Sequence, residues 1–157
     1  ESGEGTIMPR VYYSTVIDAP VDAVWELTRD FNGLPKWHPG IVDSELEQGT
    51  GVGCVRHFTL KGGAKMREKL LTLSDADRTV AYSILETGMK LKNYVSVLHV
   101  APVVATNQTF AEWSAVFDVT DPSAEEETAA TVYGVFSSGL ESLKSMVCDR
   151  KEYMGRE

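Results

Sequence analysis

The 157-residue chain is poor in cysteine, histidine and basic residues, with two cysteines, three histidines and 15 lysines and arginines against 23 acidic residues. Cys54 and Cys148 lie too far apart to indicate a disulfide framework or the paired ligands of a zinc site. The formal net charge of −8 argues against the clustered basic face that a nucleic-acid site requires. We therefore expect no nucleic-acid partner, no bound metal and no cofactor.

Long apolar runs, internal repeats and low-complexity segments are also missing. No segment is long and apolar enough for a transmembrane helix, and the first residues lack the hydrophobic centre of a signal peptide. We therefore expect a cytoplasmic protein without integral membrane association, as a monomer or weak homodimer. Residues 1–8 are expected to be a disordered leader, and residues 9–154 a single domain of ordinary size.

One long amphipathic run dominates the end of the chain, over residues 123–150. Its apolar residues recur at helical spacing, at Val132, Tyr133, Phe136, Leu140, Leu143 and Val147. Ser123 and Glu126 predict a capping box at the start of this helix. Gly134 and Gly139 lie inside it and cost roughly 1 kcal/mol each relative to alanine. We infer that this helix faces a close neighbour or an open space, either of which would require the room that glycine leaves.

Most of the preceding sequence is typical of β-strands. Alternation and β-branched residues predict seven strands, at residues 10–18, 41–47, 54–60, 65–73, 79–86, 92–103 and 108–120. Between the first two strands, Pro20 starts a short helix to about Asp30, and a loop or single helical turn surrounds Trp37. This order predicts an α+β fold in which a curved antiparallel sheet surrounds the long helix. One helix cannot fill the hollow of such a sheet, so we expect an internal cavity.

Glu68 is the one charged residue that we expect to lie inside. A buried carboxylate must be paired, hydrogen-bonded or protonated, so Glu68 is either satisfied by Arg56 or Tyr94 or serves as an anchor or proton acceptor for a ligand. It is the one candidate catalytic residue. Alternation turns His57 and His99 outward, while His38, in a turn before a proline, is more typical of a surface or capping residue than of a catalytic base.

Short sequence signals are spread over residues 10–146, at Ala19-Pro20, Val24-Trp25, Asp30-Phe31, Trp37, Gly51-Val52-Gly53 before Arg56, and Glu68 with Leu71. Together they resemble the START-like superfamily of helix-grip proteins. This superfamily includes polyketide cyclases, lipid-binding proteins and plant abscisic-acid receptors. The resemblance implies the helix-grip fold, with two short helices after the first strand.

The runs VGCVR at residues 52–56 and KLKNY at residues 90–94 are similar in particular to the abscisic-acid receptor branch. That resemblance implies a cavity lined by Val42, Ser44, Phe58, Leu60, Met66, Glu68, Tyr82, Ile84, Tyr94, Ser96, Trp113, Val135 and Gly139. Phe136 joins this set as an aromatic residue that could stack on a flat ligand. Val42 stands where the receptors place the lysine that holds the ligand carboxylate, and Met89 and Lys90 match a receptor histidine and arginine.

Three functions fit these observations. The first is a binding module that holds a hydrophobic small molecule, such as a lipid, isoprenoid or polyketide, in the cavity. The second is a polyketide aromatase/cyclase, in which the pocket folds the substrate and one residue moves protons. The third is a ligand-responsive interaction domain whose loops at residues 61–63 and 88–91 change conformation when the ligand binds.

Overall fold

A computed structural model describes residues 10–155, with side chains described as far as residue 148. The leader expected at residues 1–8 lies outside the described residues. The strands are β1 (Arg10–Ile17), β2 (Ile41–Glu47), β3 (Val55–Leu60), β4 (Lys65–Ser74), β5 (Thr79–Glu86), β6 (Leu91–Val103) and β7 (Gln108–Val119). The helices are α1 (Val21–Thr28), α2 (Leu34–Trp37) and α3 (Glu125–Gly155), with 3-10 turns at Phe31–Gly33 and Pro122–Ala124.

The seven strands form one sheet in the order β1-β7-β6-β5-β4-β3-β2, and every neighbouring pair is antiparallel. Strands β2 to β7 follow one another as a meander, whereas β1 pairs with β7 at the far end of the chain. The helices α1 and α2 connect the two edge strands. The structure thus confirms the α+β helix-grip fold, with its curved sheet, long C-terminal helix and two short helices after the first strand.

The helix α3 packs on the sheet through most of the apolar stripe that the sequence predicts, but Tyr133 of that stripe is 48% exposed. Val132, Phe136, Leu140, Leu143 and Val147 are all buried. The ring of Phe136 stacks on Trp113 of β7, with ring centroids 4.6 Å apart. Burying large apolar side chains in this way contributes roughly 1.5–3 kcal/mol each, so this stripe fixes the helix on the sheet.

The start of α3 differs from the predicted capping box. Asp121 accepts from the backbone amide of Ser123 at 3.1 Å and from its hydroxyl at 2.7 Å. The Ser123 hydroxyl is therefore a donor here, and the prediction that it caps the helix together with Glu126 is wrong. The reason is local, because Pro122 opens a 3-10 turn before α3 and a carboxylate acceptor lies one residue before that proline.

The two glycines within α3 have different surroundings. A Cβ atom at Gly139 would lie 2.5 Å from Cδ2 of His38 and 3.0 Å from Cζ3 of Trp113. A Cβ atom at Gly134 would have no atom within 4 Å. At Gly139 the expectation therefore holds, because side chains of the protein itself occupy the room that glycine leaves.

We predict opposite effects on stability for alanine at these two glycines. Gly134→Ala should raise the free energy of unfolding by about 0.5–1 kcal/mol, because alanine favours the helix and meets no obstacle. Gly139→Ala should lower it by about 1–3 kcal/mol, because the new methyl group displaces buried rings. Urea unfolding of both variants measures the difference, and equal shifts would contradict this assignment.

Candidate functional site

The space between the sheet and α3 contains a cavity of about 30 Å³. Its walls come from α2, the inner face of the sheet, the β5–β6 loop and α3. The lining residues are Leu34, Ile41, Phe58, Leu60, Met66, Glu68, Tyr82, Ile84, Met89, Tyr94, Trp113, Val132 and Val135. A volume of this size holds roughly two water molecules, so the side chains nearly close the hollow of the sheet.

The structure brings together nine of the residues that the resemblance assigned to the ligand. Those at the cavity are Phe58, Leu60, Met66, Glu68, Tyr82, Ile84, Tyr94, Trp113 and Val135. Ser96, Phe136 and Gly139 are buried but lie outside its walls. Val42 is 40% exposed and Ser44, half-buried, donates to Asn32, so neither reaches the cavity. Whether any of these residues contacts a ligand remains a prediction.

Leu34, Ile41, Met89 and Val132 also line the cavity but were not predicted to do so. The helical stripe already placed Val132 on the inward face of α3. Leu34 and Ile41 flank the turn around Trp37, where the sequence shows no regular alternation. Met89 lies in a loop, where no periodicity indicates which way a side chain points.

Arg56 and Glu68 form a buried ion pair on the inner face of the sheet. They lie opposite each other on β3 and β4 and are 4% and 5% exposed. Nε and Nη2 of Arg56 both contact Oε1 of Glu68, at 2.8 and 2.7 Å. The interpretation in which Arg56 satisfies Glu68 is therefore the one that the structure supports.

Aromatic rings and a backbone carbonyl complete the surroundings of Arg56. Its guanidinium carbon lies 4.0 Å from the ring centroid of Phe31 and 4.6 Å from that of Tyr82. Nη1 donates to the carbonyl of Phe31 at 2.9 Å. Cation–π contacts are stronger when desolvated, so these rings partly replace the water that the guanidinium loses. They also tie the turn before α2 to the sheet.

Glu68 keeps one carboxylate oxygen unused. Among the described residues no group donates a hydrogen bond to Oε2, whereas Oε1 accepts both Arg56 contacts. Burial raises the pKa of Glu68, and the charge and hydrogen bonds of Arg56 oppose that shift. The side chain therefore presents an available acceptor to a cavity whose other walls are mostly apolar.

A second polar group lies beside the cavity. Nε1 of Trp113 donates to the Tyr82 hydroxyl at 3.0 Å and to Oγ of Ser96 at 3.1 Å. The Ser96 hydroxyl in turn donates to the carbonyl of Ser114 at 2.9 Å. Burial raises the pKa of Tyr82 to about 12 and that of Tyr94 well above its usual value, so both phenols stay protonated and serve as hydrogen-bonding groups.

His38 is the C-cap residue of α2, which is one of the two roles expected of it, but its ring points into the protein and it is only 3% exposed. Its Nδ1 accepts from the backbone amide of Gly40 at 3.0 Å, which leaves the proton on Nε2 to be donated to the carbonyl of Val135 at 2.7 Å. Burial lowers the pKa of this histidine, and Arg56 adds to the shift. The neutral ring thus joins the α2–β2 segment to α3.

The described residues hold no cluster of three or more histidine, cysteine, aspartate or glutamate side chains able to bind a metal ion. In that same part of the chain, no helix has the length and apolar character needed to cross a membrane. The site is a small and mostly apolar cavity with one available carboxylate oxygen.

This arrangement of a curved sheet gripping a long helix over a cavity defines the helix-grip class of proteins. The family model described as polyketide cyclase / dehydrase and lipid transport matches residues 8–147. The chain therefore belongs to this family.

Among curated proteins, the chain is similar to the abscisic acid receptor PYL7 of Arabidopsis thaliana. The two are 30% identical over 132 residues, which is 81% of this chain and 63% of the receptor. The chain thus spans less than two thirds of that relative. The receptor PYL10 from the same plant is 32% identical over 133 residues, covering 81% of this chain and 73% of the receptor.

Among solved structures, the protein XoxI from Bacillus cereus matches with a TM-score of 0.85 and 30% identity. That match covers 92% of this chain and 99% of XoxI. Norcoclaurine synthase from Thalictrum flavum matches with a TM-score of 0.75 over 94% of this chain and 98% of the synthase. At 18% identity, this second likeness shows a shared fold.

We predict that Glu68→Gln lowers the free energy of unfolding by about 3–5 kcal/mol, because it leaves the buried Arg56 guanidinium without a counter-charge. The double variant Arg56→Met/Glu68→Leu removes both charges and should lose less than the single variant. Urea unfolding at neutral pH measures both. A Glu68→Gln protein as stable as the parent would show that the pair is not ionised in the folded protein.

We also predict that stability falls as the pH drops below about 6.5, the ordinary pKa of histidine. The folded protein holds the pKa of His38 below that value, so under acidic conditions the unfolded chain binds more protons. Unfolding midpoints at pH about 7.5 and about 5.5 measure the loss. His38→Gln should show a smaller loss, whereas His57→Gln, which changes a half-buried histidine on β3, should lose as much as the parent.

Proposed function

We propose that this protein binds a hydrophobic small molecule, of lipid, isoprenoid or polyketide type, between the sheet and α3, with Glu68 as the polar anchor. The observation that carries this proposal is the available Oε2 of Glu68 at an otherwise mostly apolar cavity. Binding sites for small molecules typically combine apolar walls with a few well-placed polar groups. A ligand hydroxyl or N–H group would supply the hydrogen bond that Oε2 does not receive from the protein.

The family and its relatives support a binding function. The family description includes lipid transport, and the two plant relatives are named as receptors for a small molecule, abscisic acid. Neither name identifies the ligand of this chain. The departure at the exposed Val42 separates it from the receptor branch at the position that the resemblance assigned to the carboxylate-binding lysine.

A cavity of about 30 Å³ must expand to hold such a ligand. Two methionines supply the adaptable part of the wall. The Thr87 hydroxyl donates to the sulfur of Met66 at 3.1 Å and accepts from the backbone amide of Met89 at 3.0 Å, so one side chain links both methionines. Unbranched thioether side chains change rotamer at low cost, and their movement would enlarge the cavity near the β5–β6 loop.

Binding is favoured over turnover because, among the described residues, no second free proton-transfer group accompanies Glu68 at the cavity. Arg56 contacts Glu68, and both ring nitrogens of His38 are hydrogen-bonded. The raised pKa values of Tyr82 and Tyr94 make these phenols poor bases at neutral pH. A polyketide cyclase would therefore have to act mainly by holding its substrate in a folded conformation.

The neutral fluorescent probe N-phenyl-1-naphthylamine tests the proposal. We expect saturable binding to the parent protein and a loss of affinity of about tenfold or more in Leu60→Trp, whose larger side chain fills the half-buried end of the cavity. Thr59→Trp is the matched control, because the neighbouring residue points to the opposite face of β3. Equal affinity in both variants would show that the probe binds elsewhere, and no binding to the parent protein would argue against the proposed function.

A further inference from the structure

The strands β5 and β6 separate before their hairpin ends. They pair from Thr79 opposite His99 as far as Ser83 opposite Val95. Beyond that point β5 continues to Glu86 while β6 has already begun at Leu91, and the pairing between them does not continue. An unbroken register would place Leu85 opposite Asn93. The hairpin therefore contains a gap between two strands that are both still extended.

The outer neighbours hold this gap open. β5 stays paired with β4 through Glu86 and Arg67, and β6 stays paired with β7 through Lys92 and Asp118. Both flanking pairs shift register at this level, between Arg67 and Glu68 and between Lys92 and Val95. Such irregularities bend a strand and increase its twist. The gap is therefore bounded by paired strands and is not a frayed end.

Asn93 stabilises the β6 side of the gap. Its backbone has a φ of 54°, in the left-handed region that asparagine tolerates better than most residues. Its side-chain nitrogen donates to Oδ2 of Asp118 on β7 at 2.8 Å. Both features direct this part of β6 toward β7 and away from β5.

A groove of about 490 Å³ occupies the gap, with Leu85, Leu91 and Asn93 among its walls. Ile84 lines this groove and also lines the inner cavity. Ile84 is thus the residue that the outer groove and the inner site have in common. Leu85 is 46% exposed at the rim and adds an apolar side chain to a groove that Glu86, Thr87 and Lys92 also line.

We propose that the hydrophobic ligand reaches the cavity sideways through the sheet, between β5 and β6, by displacement of the Ile84 side chain. This inference depends on the proposed function, since it assigns a route to that same ligand. The physical reason is that β5 and β6 form no backbone hydrogen bonds with each other at this level. Passage between two paired strands would break such bonds, whereas passage here breaks none between β5 and β6. The gap admits a slender apolar chain or a flat ring more readily than a globular molecule.

A reversible cross-link across the gap tests this route. Leu85→Cys/Asn93→Cys, in a Cys148→Ser background, places two thiols on facing sides of the groove. After oxidation, stopped-flow fluorescence with N-phenyl-1-naphthylamine should show association and dissociation rate constants reduced by about tenfold or more, with a nearly unchanged Kd. Reduction of the disulfide should restore both rates.

The matched control is Ala81→Cys/Val97→Cys in the same background, since these residues face each other where β5 and β6 are already paired. Oxidation of this pair should leave both rate constants unchanged. Unchanged rates in the oxidised Leu85→Cys/Asn93→Cys protein would overturn the lateral route while leaving the proposed function intact. Failure of the parent protein to bind the probe would instead remove the proposed function and the route with it.

A second pair of variants tests the route without a disulfide. Ile84→Ala shortens the side chain between groove and cavity and should raise both rate constants by about threefold or more. Leu85→Ala, which shortens the neighbouring side chain at the rim, should change them much less. Equal rates in Ile84→Ala and the parent protein would contradict the role given to Ile84.

Discussion

The buried pair of Arg56 and Glu68 is the constraint on which the interior of this protein depends. Two charged groups have been removed from water, and each would be costly alone. Their placement fixes much around them: β3 must lie beside β4 in one register, and Phe31 must present both its ring and its carbonyl to the guanidinium. The Arg56 guanidinium, which has few other partners, thereby attaches the turn before α2 to the sheet.

The same pair gives the cavity its chemical character. Arg56 uses one oxygen of Glu68, so the other oxygen remains the main open hydrogen-bonding position in a wall of aliphatic and aromatic groups. The indole N–H of Trp113 donates to the hydroxyl groups of Tyr82 and Ser96, so these three groups largely satisfy one another's hydrogen-bonding capacity. A ligand would therefore be oriented by one strong acceptor, and shape would determine the rest of its selectivity.

Sequence patterns determined the architecture because the sheet and α3 are long, periodic elements. The resemblance to the START-like superfamily placed Glu68, Tyr82 and Trp113 at the cavity, as found. Sequence reasoning failed where periodicity ends. His38 follows α2 directly, and Val42 lies near the start of β2 beside a register shift; the structure turns the histidine inward and the valine outward. A hydrogen bond to a helix carbonyl on a distant part of the chain decides this choice, and no local pattern contains that information.

The size of the cavity and the gap between β5 and β6 were likewise beyond the sequence. Side-chain volumes across seven strands and α3 fix the first. The second arises from register shifts in two neighbouring strand pairs, which a single strand's pattern does not reveal. Both are properties of the assembled sheet.

The position of β1 has a consequence for how the chain folds. β1 pairs only with β7, so that Arg10 meets Val116 and the two partners are separated by most of the sequence. The meander of β2 to β7 can form from neighbouring segments, but this edge must wait until β7 exists. Loop closure over such a distance carries a large entropic cost and slows folding. During synthesis on the ribosome, the first strand therefore emerges long before its partner, and its apolar inner face stays uncovered until nearly the whole domain has been made.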